Sequence, residues 1–399
     1  MSTAASPLVL AARTARLAES AIGSVLRLAD APDMIALAAG SPAPETFCDR
    51  DVADVVADML AAGPGALQYG DTAGLWGLRE WIAQTQGTEL GRPIDPAETV
   101  LTHGSQQALD LVCKALLDPG DVVVVDRPSY VGALQVFNLY QAEIVPVPIA
   151  SDAGLDALRS ALAEGLRPKL LYVVPNFANP TGLTLSGDQR PVLLELAAHY
   201  GFVIVEDDPY GDLWLTERDQ RPPALAAGSD QVIRLGSFSK VLFPAARIGH
   251  VTAPRPLADV LNKLKQAADL GNSHFVERIV HELVRRPGFL PTVLARSRAV
   301  YRVRRDTLIE SLRTHVGERL SFARSDGGFF LWASLPTGAD ARRLLAEALA
   351  LGVSFVPGAA FYAAAPEAAT LRLSYSCATL DQLTQAGPRL AAALDRLAR

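Results

Sequence analysis

Seven short runs rich in Val, Ile and Leu recur between residues 99 and 254, and they leave few architectures open to this chain. The runs are "TVLTH" (99–103), "DVVVVD" (121–126), "EIVPVP" (143–148), "KLLYVVP" (169–175), "FVIVEDD" (202–208), "VIRLGSFS" (232–239) and "RIGHVTAP" (247–254). Most are separated by segments with apolar residues at helical spacing, such as "SQQALDLVCKALL" and "QRPVLLELAAHYG". Unbroken aliphatic strands joined through helices indicate an α/β fold with a mainly parallel sheet covered on both faces. Only a short turn-like stretch joins the sixth and seventh runs, which leaves room for one antiparallel pair. After about residue 290 a long charged helical segment leads into "SDGGFFLWASLP", "GVSFVPGAAFY" and "TLRLSYSCA", the texture of a smaller α+β domain. The expected layout is an N-terminal arm contributing to the small domain (1–47), a large domain (48–290) and a small C-terminal domain (291–399).

Composition excludes several function classes. The 399 residues carry 37 Lys+Arg against 43 Asp+Glu, a net charge of −6, which is the wrong sign for a protein that holds nucleic acid by charge. Cys48, Cys113 and Cys377 are scattered without metal-ligand spacing, so each reads as a small buried hydrophobe in a reducing compartment. Arg13 and Arg16 interrupt the N-terminal segment, and no run reaches the roughly 18 apolar residues of a membrane span. The expected location is the cytoplasm.

In open α/β sheets, ligands bind beyond the carboxyl ends of the strands. The residues just past the runs there are Gly104, Ser105 and Gln106 at the start of a helix, then Tyr130, Asn179, Asp207 and Tyr210. The sixth run closes on Ser237, Ser239 and Lys240, with Arg247 seven residues further on. Each is ordinary alone: "NPTG" is a turn, "HGSQQ" a helix cap, "DDPY" a loop. Brought together at one sheet edge they form a phosphate cradle, a carboxylate, a phenol, an amide and a lysine. That set suits an aldehyde-bearing phosphorylated ring.

The stretches "LQYGDTAGLWGLREWIA", "PNFANPTG", "VEDDPYGDL", "SFSKVLFPAARIGHV" and "LRLSYS" resemble the class I/II aminotransferases, which have the pyridoxal-5′-phosphate (PLP) fold type I. Within that family the chain is similar to the branch of 2-aminoadipate, kynurenine and aromatic aminotransferases. The resemblance implies that Lys240 bonds the cofactor aldehyde and later shuttles the substrate Cα proton. It implies that Asp207 pairs with the pyridine nitrogen, that Asn179 and Tyr210 bond the ring's 3-oxygen, and that Tyr130 stacks on the ring. The phosphate falls to Gly104, Ser105, Gln106, Ser237, Ser239 and Arg247. Arg372 is implied to fork onto the substrate α-carboxylate, with Gly40 and Asn179 also at the substrate. Tyr69 is implied to reach the phosphate from a second subunit, hence a homodimer with shared active sites.

A transcriptional regulator, in which this fold follows a winged-helix domain, is disfavoured because no basic recognition helix precedes residue 99. A non-catalytic binding protein would not need Lys240 and Asp207 together. A β-lyase, cyclase or oxidase shares these residues and stays open as the alternative to transamination. One departure bears on substrate. The branch carries an arginine able to face a side-chain carboxylate where this chain reads "SAIGSVL", with Gly23 in its place. A bulky, non-acidic or nonproteinogenic amino acid is therefore expected as amino donor, unless Arg16 or Arg27 compensates.

Overall fold

A computed structural model of the chain describes residues 10–16, 23, 33–216 and 222–397. Its central sheet contains β1 (Thr99–Thr102), β2 (Val122–Asp126), β3 (Glu143–Val147), β4 (Leu170–Val173), β5 (Val203–Asp207), β6 (Val232–Ser237) and β7 (Gly249–Thr252). The strand order is β1-β7-β6-β5-β4-β2-β3. Strands β2 to β6 run parallel to one another, and β7 is antiparallel to both β6 and β1. The short connection from β6 to β7 thus gives an antiparallel pair, as its length allows.

The unbroken aliphatic character of these strands follows from burial on both faces. Successive side chains of a strand point to opposite sides. Val123 and Val125 of β2 accordingly enter one core while Val124 enters another, and on β4 Leu170 and Tyr172 part from Leu171 and Val173 in the same way. Helices cover both sides, among them Gly104–Leu116 after β1 and Gln189–Tyr200 between β4 and β5.

The second sheet is small and antiparallel. Phe330–Ser334 pairs with Thr370–Ser374, in a register that sets Trp332 opposite Arg372; Val356–Pro357 and Ser321–Phe322 flank them. Ile35–Ala36 pairs in parallel with Val353–Ser354, so residues from the N-terminal stretch do lean on the C-terminal part. The charged segment after residue 289 forms one helix, Phe289–His315, packed on Leu380–Leu397. Among the described residues no helix is long and apolar enough to cross a membrane, and no cluster of His, Cys, Asp and Glu could hold a metal ion.

One reading needs correction. Cys48 and Cys113 are buried, but Cys377 is only half-buried, with its Sγ 2.9 Å from the Ser41 carbonyl. It lies past the end of Thr370–Ser374 between buried Ser376 and Ala378, with its own side chain turned partly outward.

Candidate active site

The carboxyl ends of β4, β5 and β6 open into a cavity of about 530 Å³. Its walls include Gly40, Gly104, Ser105, Gln106, Tyr130, Asn179, Asp207, Tyr210, Ser237, Ser239, Lys240, Arg247 and Arg372, residues spread over more than 330 positions of sequence. Tyr69 alone of the expected residues lies elsewhere, 88% exposed on the surface of this chain.

Gly104 shows why the loop after β1 has its composition. Its φ of +76° is left-handed, and a Cβ there would meet Arg247 Nη2 at 2.7 Å. With no side chain in the way, the Arg247 guanidinium crosses the loop. Its Nη2 donates to the His103 carbonyl at 3.0 Å and its Nη1 to Ser239 Oγ at 3.3 Å. Ser237 Oγ accepts the Ser239 N–H at 3.1 Å, which fixes the turn that carries Lys240. A cation, two hydroxyls and the first N–H groups of the helix Gly104–Leu116 thus converge on one end of the cavity. That end is built for a phosphate-sized anion.

Asp207 sits at the end of β5, 3% exposed. Its Oδ2 accepts the Tyr172 hydroxyl at 2.8 Å, while Oδ1 is buried with no partner in hydrogen-bonding geometry. Burial raises its pKa to about 6, against the lowering effect of the Tyr172 and Ser105 hydroxyls. A buried carboxylate with an unused oxygen is costly by itself. It fits a ligand that brings an N–H or a positive charge.

Lys240 is half-buried, and its Nζ donates to the Gly40 carbonyl at 3.0 Å. Burial first, then Arg372 and, less strongly, Arg247, lowers its pKa to about 8, with Cys377 acting the other way. The sign of the linkage is testable in protein without cofactor. Between the folded value near 8 and the ordinary value of 10.5, the unfolded chain binds more protons, so Lys240 adds stability as pH rises through that window. Lys240→Met is accordingly expected to melt above the wild type at pH 7 and to lose that advantage by about pH 10.5, read by thermal denaturation of the cofactor-free proteins. An advantage that persists to high pH would show that the charge is not its source.

Arg372 is 2% exposed and faces Lys240 across the cavity from the small sheet. Its Nη1 donates to Asn179 Oδ1 at 2.7 Å and its Nη2 to the Ala38 carbonyl at 2.8 Å, and Nε has no partner. The rings of Phe330 and Phe361 lie 4.2 and 5.0 Å from its guanidinium carbon, which holds the plane in place. Burial lowers its pKa to about 10, so it stays cationic at neutral pH.

Several lining residues escaped the sequence reading. Val131, Gly132 and Gln135 come from the helix that Tyr130 caps, and Phe330 comes from the small sheet. Gln106 ties this helix to the phosphate-sized end: its Nε2 donates to the Gly132 carbonyl at 2.9 Å and its Oε1 accepts the Tyr130 hydroxyl at 3.3 Å. Tyr172, which holds Asp207, had one visible signal, a phenol within the otherwise aliphatic run of β4.

Comparison with known proteins identifies the family. The family model "Aminotransferase class I and II" matches residues 32–390. The 2-aminoadipate transaminase of Thermus thermophilus is 38% identical, with 96% of this chain and 95% of that protein covered. The aromatic-amino-acid aminotransferase 1 of Thermococcus litoralis is 36% identical, with 93% and 90% covered. Among solved structures, the Pyrococcus horikoshii kynurenine aminotransferase superposes with a TM-score of 0.91 at 34% identity, covering 98% of each chain. The Thermus thermophilus α-aminoadipate aminotransferase, solved with N-(5′-phosphopyridoxyl)-L-leucine, gives 0.89 at 37% identity and the same coverage. The chain belongs to the class I and II aminotransferases, the PLP-dependent family its sequence resembles, and to their branch of aromatic, 2-aminoadipate and kynurenine aminotransferases.

Proposed function

We propose that this aminotransferase moves an amino group from a bulky, non-acidic α-amino acid to a 2-oxo acid, using the cavity between the large and small sheets. The observation that carries this reading is the set of buried groups left without partners, Asp207 Oδ1 on one side and Arg372 Nε on the other, with Lys240 between them. These residues fit PLP. Asp207 Oδ1 would take the ring N–H, Tyr130 would cover the ring, and Asn179 and Tyr210 would meet its 3-oxygen. Ser105, Gln106, Ser237, Ser239 and Arg247 would hold the phosphate beside Gly104. When bound, PLP supplies an aldehyde that condenses with amines and a ring that accepts electrons.

The chain's own residues then have distinct tasks. Lys240 Nζ takes the proton from the substrate Cα and would pass it to the carbon that was the cofactor's aldehyde, and a pKa near 8 leaves a useful fraction neutral at physiological pH. Ionised Asp207 keeps a proton on its partner, and the gain offsets the cost of its burial. Arg372 receives the α-carboxylate; Phe330, Phe361, Asn179 and the Ala38 carbonyl fix its orientation. Gly40 lies close against Phe330 at the cavity wall, where a Cβ would come within 3.0 Å of the ring.

Substrate preference follows from charge. Among the described residues lining the cavity, the charged side chains are Asp207, Lys240, Arg247 and Arg372, all of them engaged by cofactor or α-carboxylate. Gly23 is helical, whereas Arg27 and residues 17–22 lie outside the described residues, as does the side chain of Arg16. The test is kcat/KM for 2-aminoadipate and glutamate beside phenylalanine, leucine and arginine. The bulky non-acidic substrates are expected to lead. An acidic lead of about tenfold, roughly 1.4 kcal/mol of transition-state preference, would overturn the reading.

The same reading includes a homodimer and the three-part division at residues 47 and 290, with the arm joined to the small domain through Ile35–Ala36. Supporting the dimer, Tyr69 is 88% exposed, and Leu67 and Leu270 are 66% and 64% exposed on neighbouring segments that Thr72 Oγ1 links by a 2.9 Å bond to the Leu270 carbonyl. Sedimentation equilibrium reads the assembly directly. Three unpaired thiols suit a reducing compartment such as the cytoplasm.

A further inference from the structure

Asp208 follows the last residue of β5, where neighbouring side chains point to opposite sides of the sheet. Asp207 therefore meets the active-site cavity, and Asp208 meets a second cavity of about 380 Å³ behind it, shared with Glu89, Arg234 and His250. The Asp208 side chain is 4% exposed. Its Oδ1 accepts the Gly211 N–H at 2.9 Å, and its Oδ2 accepts Asn176 Nδ2 at 2.9 Å. Gly211 has no room for a side chain, because a Cβ would lie 2.4 Å from Asp208 Oδ2.

The contacts continue on both sides. Asn176 Oδ1 accepts Arg190 Nη2 at 2.7 Å, and Arg190 Nη1 donates to the Pro223 carbonyl at 2.9 Å. Arg234, from β6, brings Nη2 to 3.8 Å from Asp208 Oδ2 and Nη1 to 2.8 Å from Glu89 Oε2. One carboxylate thus joins two turns. Asn176 begins the turn that presents Asn179, and Gly211 closes the turn that presents Tyr210.

We propose that Asp208 is a positioning residue for the reaction, setting Asn179 and Tyr210 at the cavity wall through Asn176 and Gly211. The inference rests on reading Asn179 and Tyr210 as the groups that meet the cofactor's 3-oxygen. A carboxylate is required because Gly211 and Asn176 both donate to it, each to a different oxygen. An amide has only one acceptor oxygen, so it can satisfy Gly211 or Asn176 but not both. The mismatch at the other contact leaves a buried donor facing a donor.

The test compares Asp208→Asn with the double variant Asn176→Asp/Asp208→Asn as PLP-loaded holoenzymes. In the double variant the two side chains exchange roles: the amide at 208 donates to the carboxylate at 176, which still accepts Arg190, and its oxygen still accepts Gly211. The readouts are melting temperature, kcat and KM, and the pH midpoint of the absorbance change of the Lys240-linked cofactor, which responds to groups at its 3-oxygen. Asp208→Asn is expected to lower kcat at least tenfold and to move the midpoint by half a pH unit or more, with a melting temperature within a few degrees of wild type. The double variant is expected to bring kcat within threefold and restore the midpoint. An unmoved midpoint in Asp208→Asn, or a double variant no better than the single, overturns the proposal. Should Asp208→Asn not fold, the double variant decides alone: a midpoint away from that of the wild type overturns it. Asn179→Ala and Tyr210→Phe run alongside. If neither moves the midpoint, the reading beneath the proposal fails; if both move it and Asp208→Asn does not, the role of Asp208 alone is refuted.

Discussion

Lys240→Ala is expected to stop turnover while leaving a protein that still binds PLP. The two effects separate because different residues carry them. In the proposed function phosphate retention would depend on Arg247, Ser239, Ser237 and the loop at Gly104, which hold one another without Lys240: Arg247 already bonds Ser239 and the His103 carbonyl, and Ser239 bonds Ser237. Proton transfer at the substrate Cα would depend on Lys240 Nζ, because the remaining charged side chains of the cavity are held by other partners. Asp207 is held by Tyr172, and Arg372 by Asn179 and the Ala38 carbonyl. Loss of a positioned base removes about 10²–10⁴-fold in rate. Single-turnover kinetics with the purified variant and a calorimetric titration of PLP measure the two quantities independently. A variant that keeps steady-state transamination above trace would remove Lys240 from the proposed chemistry, and one that no longer binds PLP would mean that the phosphate cradle is not self-supporting.

The large sheet and the edge that bears the cavity could be read from the chain, for a local reason. Strand identity and strand ends are set by residues next to one another, and alternation splits Val123 and Val125 from Val124 without reference to anything distant. Asp207 and Asp208, neighbours in sequence, line different cavities because successive side chains point to opposite sides of the sheet. What escaped was set by contacts across the fold. The Tyr172 hydroxyl reaches Asp207 only because β4 lies beside β5, and Phe330 joins the site only because the small sheet closes over it. The Ala38 carbonyl on Arg372 joins positions 334 residues apart, a distance no spacing rule covers. In the proposed homodimer Tyr69 would meet the same limit from the other direction, since a residue serving a second subunit's site has nothing within its own chain to reveal that role.

Asp207→Ala is expected to be the most damaging single change at the cavity floor after loss of Lys240. Burial holds the Asp207 pKa up near 6 in the cofactor-free protein, so the carboxylate is under strain from its surroundings when no positive partner is present. A protonated ring nitrogen placed at Oδ1 relieves that strain and in return keeps its own proton. A charge-assisted bond of this kind is worth about 1.5–3 kcal/mol, so PLP affinity should fall roughly 10- to 150-fold on its removal. Catalysis should fall further, by about 10²–10³, because the group stabilises charge that develops only as the Cα proton leaves. Asp207→Asn separates the two causes. The amide keeps an oxygen for the Tyr172 hydroxyl and can still fill the space, but it carries no charge to hold the ring proton. PLP affinity should therefore recover in part while kcat stays low. The contrast with Asp208→Asn completes the test: that variant acts through the placement of Asn179 and Tyr210, so the exchange with Asn176 should rescue it. No exchange with a neighbour should rescue Asp207, and equal residual rates in Asp207→Asn and wild type would show that the ring needs no anion beneath it.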